Sequence, residues 1–329
     1  MNRRRTMPSG VRRSQHGAAL LLAMLILALV TTLAAGMLWQ QWRAVQVEEA
    51  ERQREATRWM VSGALDLARF LLRQDYANGA QTDHLAEIWA APLPDTNLSV
   101  LTGGADMVRD PDPQTDPFLN GSISDAQARY NLRSLLKHDF TIDAAQLEVL
   151  RRLCRFAGLP DALADNIASG LAAAWALVPT ASATLPPRTI DDLAWLGIAP
   201  DQLATLARYA VLLPEPTQVN ANTADALVLA AVIGGDLDPG GAARIVEVAK
   251  RLAASGKGFA SASQVQQQAL PQLPAQNFTG LGVATRYFEV RARIRQGDRV
   301  LEEVALMQRV QREVRLLQRS RRATLYESR

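Results

Sequence analysis

The sequence predicts an α+β protein with a long N-terminal helix, a small antiparallel sheet on which this helix packs, and a large all-α subdomain inserted into the sheet. Three observations support this fold class. An uncharged apolar run near the N-terminus continues into an amphipathic segment. An alternating strand pair lies within 276–312, and the intervening residues 133–275 are rich in alanine and leucine.

The apolar run Ala18–Trp42 contains 25 residues and no charged side chain. A helix rises about 1.5 Å per residue, so this run is long enough to cross the ~30 Å hydrocarbon core of a bilayer. We assign 18–42 as a transmembrane and assembly helix. Its candidate contact residues are Leu22, Leu25, Leu29 and Leu33. Residues 1–17 hold five arginines and no acid, which predicts a cytoplasmic N-terminus with the rest of the chain beyond the membrane.

The amphipathic segment 43–75 predicts that the membrane helix continues without a break. It contains no proline and a single glycine, and its apolar side chains form a stripe at helical spacing. We expect one helix of roughly 55–58 residues, whose stripe docks on the sheet through Trp59, Leu67 and Phe70. A secretory leader has a shorter apolar stretch of about 7–15 residues. A cleavable site at Ala34-Ala35-Gly36 nevertheless keeps a secreted protein as an alternative.

Strands and loops are predicted in 76–132. Asn97–Leu101 and Ile123–Leu132 are the strand candidates, and the proline- and aspartate-rich segment 103–120 between them is a surface loop. The aspartates of this loop could supply oxygen ligands to calcium, but its prolines and irregular spacing favour a solvated loop. These weak calcium candidates are Asp106, Asp110, Asp112 and Asp116.

The region 276–312 predicts a half-buried antiparallel hairpin. Apolar and charged residues alternate from Phe288 to Arg295, a turn follows, and the chain returns from Val300 to Val310. The remaining segment 313–329 is predicted to be a solvated basic tail.

The region 133–275 predicts three short helical hairpins in a row, as SAM-like repeats. Gly158, Gly197 and Gly235 mark a weak internal repeat. In each unit the glycine can end one helix, and a following proline or aspartate can begin the next. The region is therefore expected to form a compact inserted subdomain.

The basic leader that ends in Gly17, followed by an apolar helix, resembles the type IV pilin and pseudopilin class. In that class a prepilin peptidase cuts after the glycine and methylates the new N-terminal residue, which implies Gly17 and Ala18 as the processing site. Most members carry glutamate at the fifth position after the cut, whereas this chain has Leu22 there. The absence of this glutamate is typical of the K-type minor pseudopilin of the type II (general) secretion pathway.

Three internal motifs are also similar to K-type pseudopilins. They are DAQARYNL at 125–132, VNANTA at 219–224 and RYFEVRARIR at 286–295. Together with the leader they extend the resemblance over essentially the whole chain. In the second motif, Asn222 or Thr223 can cap the helix that follows. The acidic stretch with which some family members bind calcium is missing at 169–175.

The resemblance implies a pilin-like fold and a position at the tip of the pseudopilus. There the subunit would initiate or cap assembly and support the export of folded proteins across the outer membrane. The implied partners are the prepilin peptidase, the I-type and J-type minor pseudopilins and the major pseudopilin, with secreted substrates and the secretin as further candidates. The implied location is the bacterial inner membrane, as a single-pass protein with a periplasmic C-terminal domain.

The charge distribution argues against nucleic acid as a partner. The chain has 36 basic and 33 acidic residues, but without the five arginines of the leader the balance is 31 to 33. A membrane-anchored helix-hairpin-helix protein for DNA binding and uptake is the alternative function. Its hairpin turns would have to approach phosphates, yet they carry Asp161, Asp201, Asp236 and Asp238.

Signals for catalysis are weak. Two histidines follow the leader, His84 and His138, and they are far apart in the sequence. No serine-nucleophile elbow, phosphate loop or metal-spaced histidine and cysteine cluster occurs. We therefore predict a structural protein without a cofactor. The lone Cys154 is expected to be buried and inert.

Overall fold

The computed structural model describes residues 16–78, 81–97, 116–176, 185–297 and 299–325. The chain divides into two compact units, Met1–Met60 and Val61–Arg329. The described elements are an N-terminal apolar helix, a mostly antiparallel sheet and an inserted set of shorter helices. This arrangement confirms the predicted fold class.

The long helix α1 spans His16–Ala77 without interruption over 62 residues. The continuous helix predicted from the sequence is therefore confirmed. In its apolar part, the hydroxyls of Thr31 and Thr32 donate to the carbonyl oxygens of Leu27 and Ala28, both at 2.9 Å. These hydroxyls are satisfied within the helix itself, which suits an apolar environment.

Within the second unit, α1 buries one face against the sheet. The face consists of Val61, Leu65, Ala68 and Leu72, each at most 4% exposed. Their spacing of three and four residues is that of one helix face. Leu65, Ala68 and Leu72 share a small core with Trp89 and with residues of the sheet. The indole of Trp89 meets the ring of Phe288 edge-on, with centroids 5.2 Å apart.

Of the docking residues predicted from the sequence, Phe70 lies opposite the buried face of α1, Leu67 lines a groove beside the sheet, and Trp59 belongs to the first unit. Trp59 is 76% exposed, Phe70 58% and Leu67 43%. At about 100° per residue, Phe70 lies roughly 200° around the helix from the buried Ala68, and Leu67 roughly 100°. The segment is apolar on more than one side, so its composition does not indicate which side meets the sheet.

The main sheet has five strands in the order β1-β2-β7-β8-β9, and all neighbouring pairs are antiparallel. Its strands are β1 Leu93–Asn97, β2 Phe118–Asp125, β7 Tyr287–Gln296, β8 Arg299–Val310 and β9 Glu313–Leu325. The two-residue strands β3 Tyr130–Asn131, β4 Ala210–Val211, β5 Val219–Asn220 and β6 Leu281–Gly282 form two parallel pairs, β3 with β4 and β5 with β6. The predicted C-terminal hairpin is confirmed by β7 and β8.

The first strand predicted before the helical subdomain, Asn97–Leu101, lies outside the described residues except for Asn97, the last described residue of β1. The second, β2, is shorter than predicted. It ends at Asp125 because the Asp125 carboxylate accepts a hydrogen bond from the Gln127 backbone N–H at 2.7 Å. That bond starts a short 3-10 turn, Ala126–Ala128, which replaces the predicted extension toward Leu132.

The basic tail predicted for 313–329 is wrong over its described part, because Glu313–Leu325 forms the edge strand β9. Val314 and Leu316 contribute to the core beneath the sheet. Glu303 on β8 is completely buried, and it pairs with the guanidinium groups of Arg319 and Arg321 on β9. The arginines that suggested a solvated tail therefore neutralise a buried carboxylate.

The helical subdomain lies between β2 and β7 in the chain. Its α-helices are Ala144–Phe156, Asp161–Ala174, Pro200–Tyr209, Ala226–Ile233, Pro239–Ala254 and Ala262–Ala269, and Asp191–Leu196 is a 3-10 helix. Gly158, Gly197 and Gly235 have left-handed φ angles of 71°, 74° and 66° between successive elements, as the repeat predicts. Cys154 is fully buried in the core of this subdomain, and burial raises the pKa of its thiol to about 12.

We predict that Leu72→Ala destabilises the protein and that Phe70→Ala does not. The first change leaves a cavity beneath the sheet and should lower the free energy of unfolding by about 2–5 kcal/mol. The second trims an exposed side chain and should change it by less than about 0.5 kcal/mol. Denaturant unfolding of the full chain in detergent measures both, and a larger loss for Phe70→Ala would contradict the docking face.

Candidate functional site

The anchor helix exposes its apolar side chains. Leu22, Leu25, Leu29 and Leu33 are between 57% and 64% exposed. The helix is long and apolar enough to cross a membrane, with a mean hydropathy of 2.5 over its most apolar window. The processing candidates Gly17 and Ala18 lie in its first turn.

Arg309 on β8 is the centre of a buried ion cluster in the second unit. Its guanidinium donates to the Asp75 carboxylate at 2.7 Å and also to the Asp83 carboxylate. All three side chains are at most 6% exposed. Asp83 further accepts from the Thr285 backbone N–H at 2.7 Å, and the guanidinium lies 4.7 Å from the ring centroid of Phe288.

This Arg309 cluster, formed by Asp75, Asp83, Thr285 and Arg309, joins three parts of the chain. Asp75 belongs to the last turn of α1, Asp83 to the loop behind it, and Arg309 to the sheet. Removal of one partner from such a buried pair leaves an uncompensated charge, which costs about 3–5 kcal/mol. The cluster therefore fixes the end of α1 against the sheet.

Glu87 adds a third carboxylate beside this cluster. Carboxylate oxygens of Asp75, Asp83 and Glu87 lie within 4.8 Å of one another. One Glu87 oxygen accepts from the Trp89 indole N–H at 2.5 Å, whereas its other oxygen is buried without a hydrogen bond in the described part of the chain. Burial and the charge of Asp75 raise the pKa of Glu87 to about 7, and burial lowers the pKa of the neighbouring His84.

A second buried network, the Asp125 cluster of Asp125, Asn220 and Thr223, joins the helical subdomain to the sheet. Asp125 at the end of β2 accepts from the Asn220 side-chain amide at 2.8 Å and from the Thr223 hydroxyl at 2.6 Å. Asn220 also donates to the carbonyl oxygen of Asp83 at 3.0 Å. Burial raises the pKa of Asp125.

Contrary to the prediction from the sequence, Asn222 and Thr223 of the VNANTA motif do not cap the following helix. Asp225 caps the helix Ala226–Ile233, with its carboxylate accepting from the Leu227 N–H at 2.8 Å. Asn222 instead accepts from the Phe259 N–H at 2.7 Å, and Thr223 belongs to the Asp125 cluster. The polar residues of the motif connect separate parts of the fold.

The calcium candidates are not brought together in the described residues. Asp106, Asp110 and Asp112 lie outside the described part of the chain. Asp116 precedes β2, and its carboxylate accepts from the Asn97 side-chain amide at 3.4 Å. The carboxylates that do meet are those of the Arg309 cluster and Glu87, where Arg309 already supplies a positive charge.

Sequence reasoning missed the Arg309 and Asp125 clusters. Their members are separated by up to 234 residues, so no local spacing connects them. The available signal was the motif VNANTA, whose polar residues follow an apolar stretch and needed partners if buried.

These features define a pilin-like protein: the end of a long N-terminal helix packs on an antiparallel sheet, and a helical subdomain is inserted between two neighbouring strands. The sheet and the helical subdomain together form an enlarged head. The family model described as "Type II secretion system (T2SS), protein K" matches residues 219–284, which begin at the VNANTA motif.

Relatives and a solved structure extend this match. Type II secretion system protein K of Pseudomonas aeruginosa is 29% identical over 91% of this chain and 90% of its own length. The protein of that name from Pectobacterium carotovorum is 26% identical over 94% and 97%. The fold is similar to a chain of the GspK-GspI-GspJ complex from enterotoxigenic Escherichia coli, with a TM-score of 0.61, 20% identity and coverage of 85% of this chain and 99% of that one. The chain is therefore similar to type II secretion protein K over nearly its whole length.

We predict that Glu87 makes stability depend on pH. Its pKa is raised from 4.5 to about 7 on folding, so the folded state holds a proton that the unfolded state releases. Glu87 should therefore contribute a fall of about 2–3 kcal/mol in the free energy of unfolding as pH rises from 4.5 to 7, with little further change above that.

Glu87→Gln should flatten this slope in denaturant unfolding measured at several pH values. Glu148→Gln, which changes a half-exposed carboxylate on the helix Ala144–Phe156, is the matched control and should keep it. An unchanged slope in Glu87→Gln would show that Glu87 does not hold the proton.

Proposed function

We propose that this chain is a minor pseudopilin at the tip of the type II secretion pseudopilus. There it initiates or caps assembly and supports the export of folded proteins across the outer membrane. The role is structural, with no catalytic step.

The tip position is supported by the place at which the helical subdomain leaves the sheet. The subdomain follows β2 and precedes β7, and Asp125 and Phe288 at these strand ends are paired in register. The last turn of α1 reaches the same end of the sheet, since Asp75 bonds to Arg309 and Arg309 lies over Phe288. Bulk at the end where α1 terminates would obstruct a further subunit from stacking above.

The N-terminal helix supports the anchoring part of the proposal. The leader has five arginines and no acid, which favours a cytoplasmic N-terminus in the inner membrane and a periplasmic head. The prepilin peptidase would cut between Gly17 and Ala18. With Leu22 in place of a carboxylate, the helix has no buried charge that needs a partner in the lipid.

The exposed apolar side chains of α1 support contacts with neighbouring pseudopilins. Phe70 is exposed opposite the buried face of the helix, and Leu67 is partly exposed in a groove beside the sheet. Apolar side chains of this size are typical anchors of protein interfaces. We propose the I-type and J-type minor pseudopilins as the partners, as in the complex with a similar fold, together with the major pseudopilin. The secretin and secreted substrates are further proposed partners.

We predict that Phe70→Asp weakens this assembly. A charge at the centre of a helix contact is left unpaired and desolvated, so recovery of the I-type and J-type subunits with the full chain should fall about tenfold. Co-purification from detergent-solubilised membranes measures this. Leu317→Asp is the matched control, because Leu317 is a 40% exposed apolar side chain on the edge strand β9. Equal losses in both variants would contradict the proposed helix contact.

A further inference from the structure

A polar cleft on the helical subdomain contains two partly buried arginines that form no ion pair with a carboxylate of the described residues. The cleft has a volume of about 1290 Å³. Its lining comes from residues 130–152, from residues 216–219 and 276–280, and from the end of the helix Ala226–Ile233 with Gly234 and Gly235. Small-molecule pockets measure roughly 300–1,000 Å³, so this cleft is large enough for a segment of polypeptide.

Arg152 lies half-buried within this cleft. Its Nε donates to the carbonyl oxygen of Ala231 at 2.9 Å. Across the described residues, its two terminal nitrogens have neither a hydrogen bond nor an ion pair. Burial lowers the pKa of this guanidinium, which means that its charge is incompletely solvated.

Gly234 makes room for this guanidinium. A Cβ at position 234 would lie 2.9 Å from one terminal nitrogen of Arg152 and 3.3 Å from the other. Gly234 also has a φ of 71°, which disfavours a larger residue. Gly234 therefore lets the guanidinium of Arg152 lie close against the backbone at the lining of the cleft.

Arg133 repeats this arrangement in the same part of the cleft lining. It donates to the carbonyl oxygen of Leu136 at 3.2 Å, and its guanidinium lies 5.3 Å and 5.7 Å from the ring centroids of Phe140 and Trp175. Among the described residues no carboxylate forms an ion pair with it. The buried Arg309, by contrast, has two carboxylate partners.

The acids that line the cleft are already engaged. Asp143 caps the helix Ala144–Phe156, accepting from the backbone N–H groups of Ala145 and Gln146. Asp139 accepts from the hydroxyl and the backbone N–H of Thr141. A partly desolvated cation is stabilised by a counter-charge. Glu148 favours the charged form of Arg152 but forms its ion pair with Arg151, so a ligand carboxylate can supply the direct pairing that the cleft lining does not.

We propose that this cleft binds an acidic segment of a partner polypeptide, whose carboxylates pair with Arg152 and Arg133. A planar guanidinium binds a carboxylate with two parallel hydrogen bonds. The observations favour polypeptide over nucleic acid, because the cleft offers two local guanidinium groups for a few carboxylates. Residues 121–275, with 12 basic and 14 acidic side chains, lack the extended basic surface that a polyphosphate backbone needs. The site is separate from the helix contacts proposed above and does not depend on the tip position.

Fluorescence anisotropy with the full chain in detergent tests the proposal. The probe is a labelled glutamate-rich peptide, compared with its glutamine counterpart and with a short DNA duplex. We expect the glutamate peptide to bind in a salt-sensitive manner and the other two to bind at least tenfold more weakly. Equal binding of the glutamine peptide, or tighter binding of the duplex, would overturn the proposal.

The variants locate the contact. Arg152→Gln removes one charge-assisted pair and should weaken binding of the glutamate peptide about tenfold. Arg155→Gln is the matched control, because Arg155 is 58% exposed outside the cleft and pairs with Asp161, and it should bind like the unmodified chain. A thermal melt of each variant checks its folding.

Lys137→Gln, at the exposed rim of the cleft, provides a second variant that leaves the core intact and should weaken binding two- to threefold. Loss of affinity in Arg155→Gln equal to that in Arg152→Gln would contradict the assigned site, as would unchanged affinity in both cleft variants.

Discussion

The uncharged helix between Ala18 and Trp42 is the constraint on which the rest of the molecule depends. Its leucines are more than half exposed, and an apolar surface of that extent is unfavourable in water. Lipid and the apolar helices of neighbouring subunits are the two environments that can cover it. This exposed surface supports the proposal that the chain works as one member of a membrane-anchored assembly.

The head has to be stable without help from this anchor. A large core of leucine, isoleucine and alanine holds the helical subdomain together, and a smaller core holds the end of α1 on the sheet. Two buried polar clusters join these parts. Arg309 links the end of α1 to the sheet, and Asp125 links β2 to the VNANTA segment. Buried charges and hydrogen bonds of this kind are satisfied in only one arrangement, so they fix how the parts of the head fit together.

Local patterns in the sequence predict much of this fold. The unbroken helix, the hairpin of β7 and β8 and the left-handed glycines follow from periodicity and turn chemistry, which depend on near neighbours. The docking face of α1 does not follow from such local patterns, because Trp59, Leu67 and Phe70 are as apolar as the buried Leu65 and Leu72. Tertiary contact decides between the two sides.

Long-range pairing accounts for the remaining errors. The arginines of β9 are typical of a solvated tail, so the strand was not predicted. Their counter-charge, Glu303, lies on the neighbouring strand β8 and is not adjacent to them in the sequence. Asp75 and Asp83 are separated from Arg309 in the chain by the whole helical subdomain. The motif VNANTA was recognisable as a family feature, but its function as a connector between chain segments required the structure.

The mature N-terminus tests the central claim most directly. Mass spectrometry of the chain isolated from membranes should find methylated Ala18 as the first residue, and Gly17→Glu should retain the basic leader. An unmethylated chain that begins near Gly36 and is recovered in soluble form would contradict the account, because the apolar helix would then have been removed rather than shared between lipid and assembly.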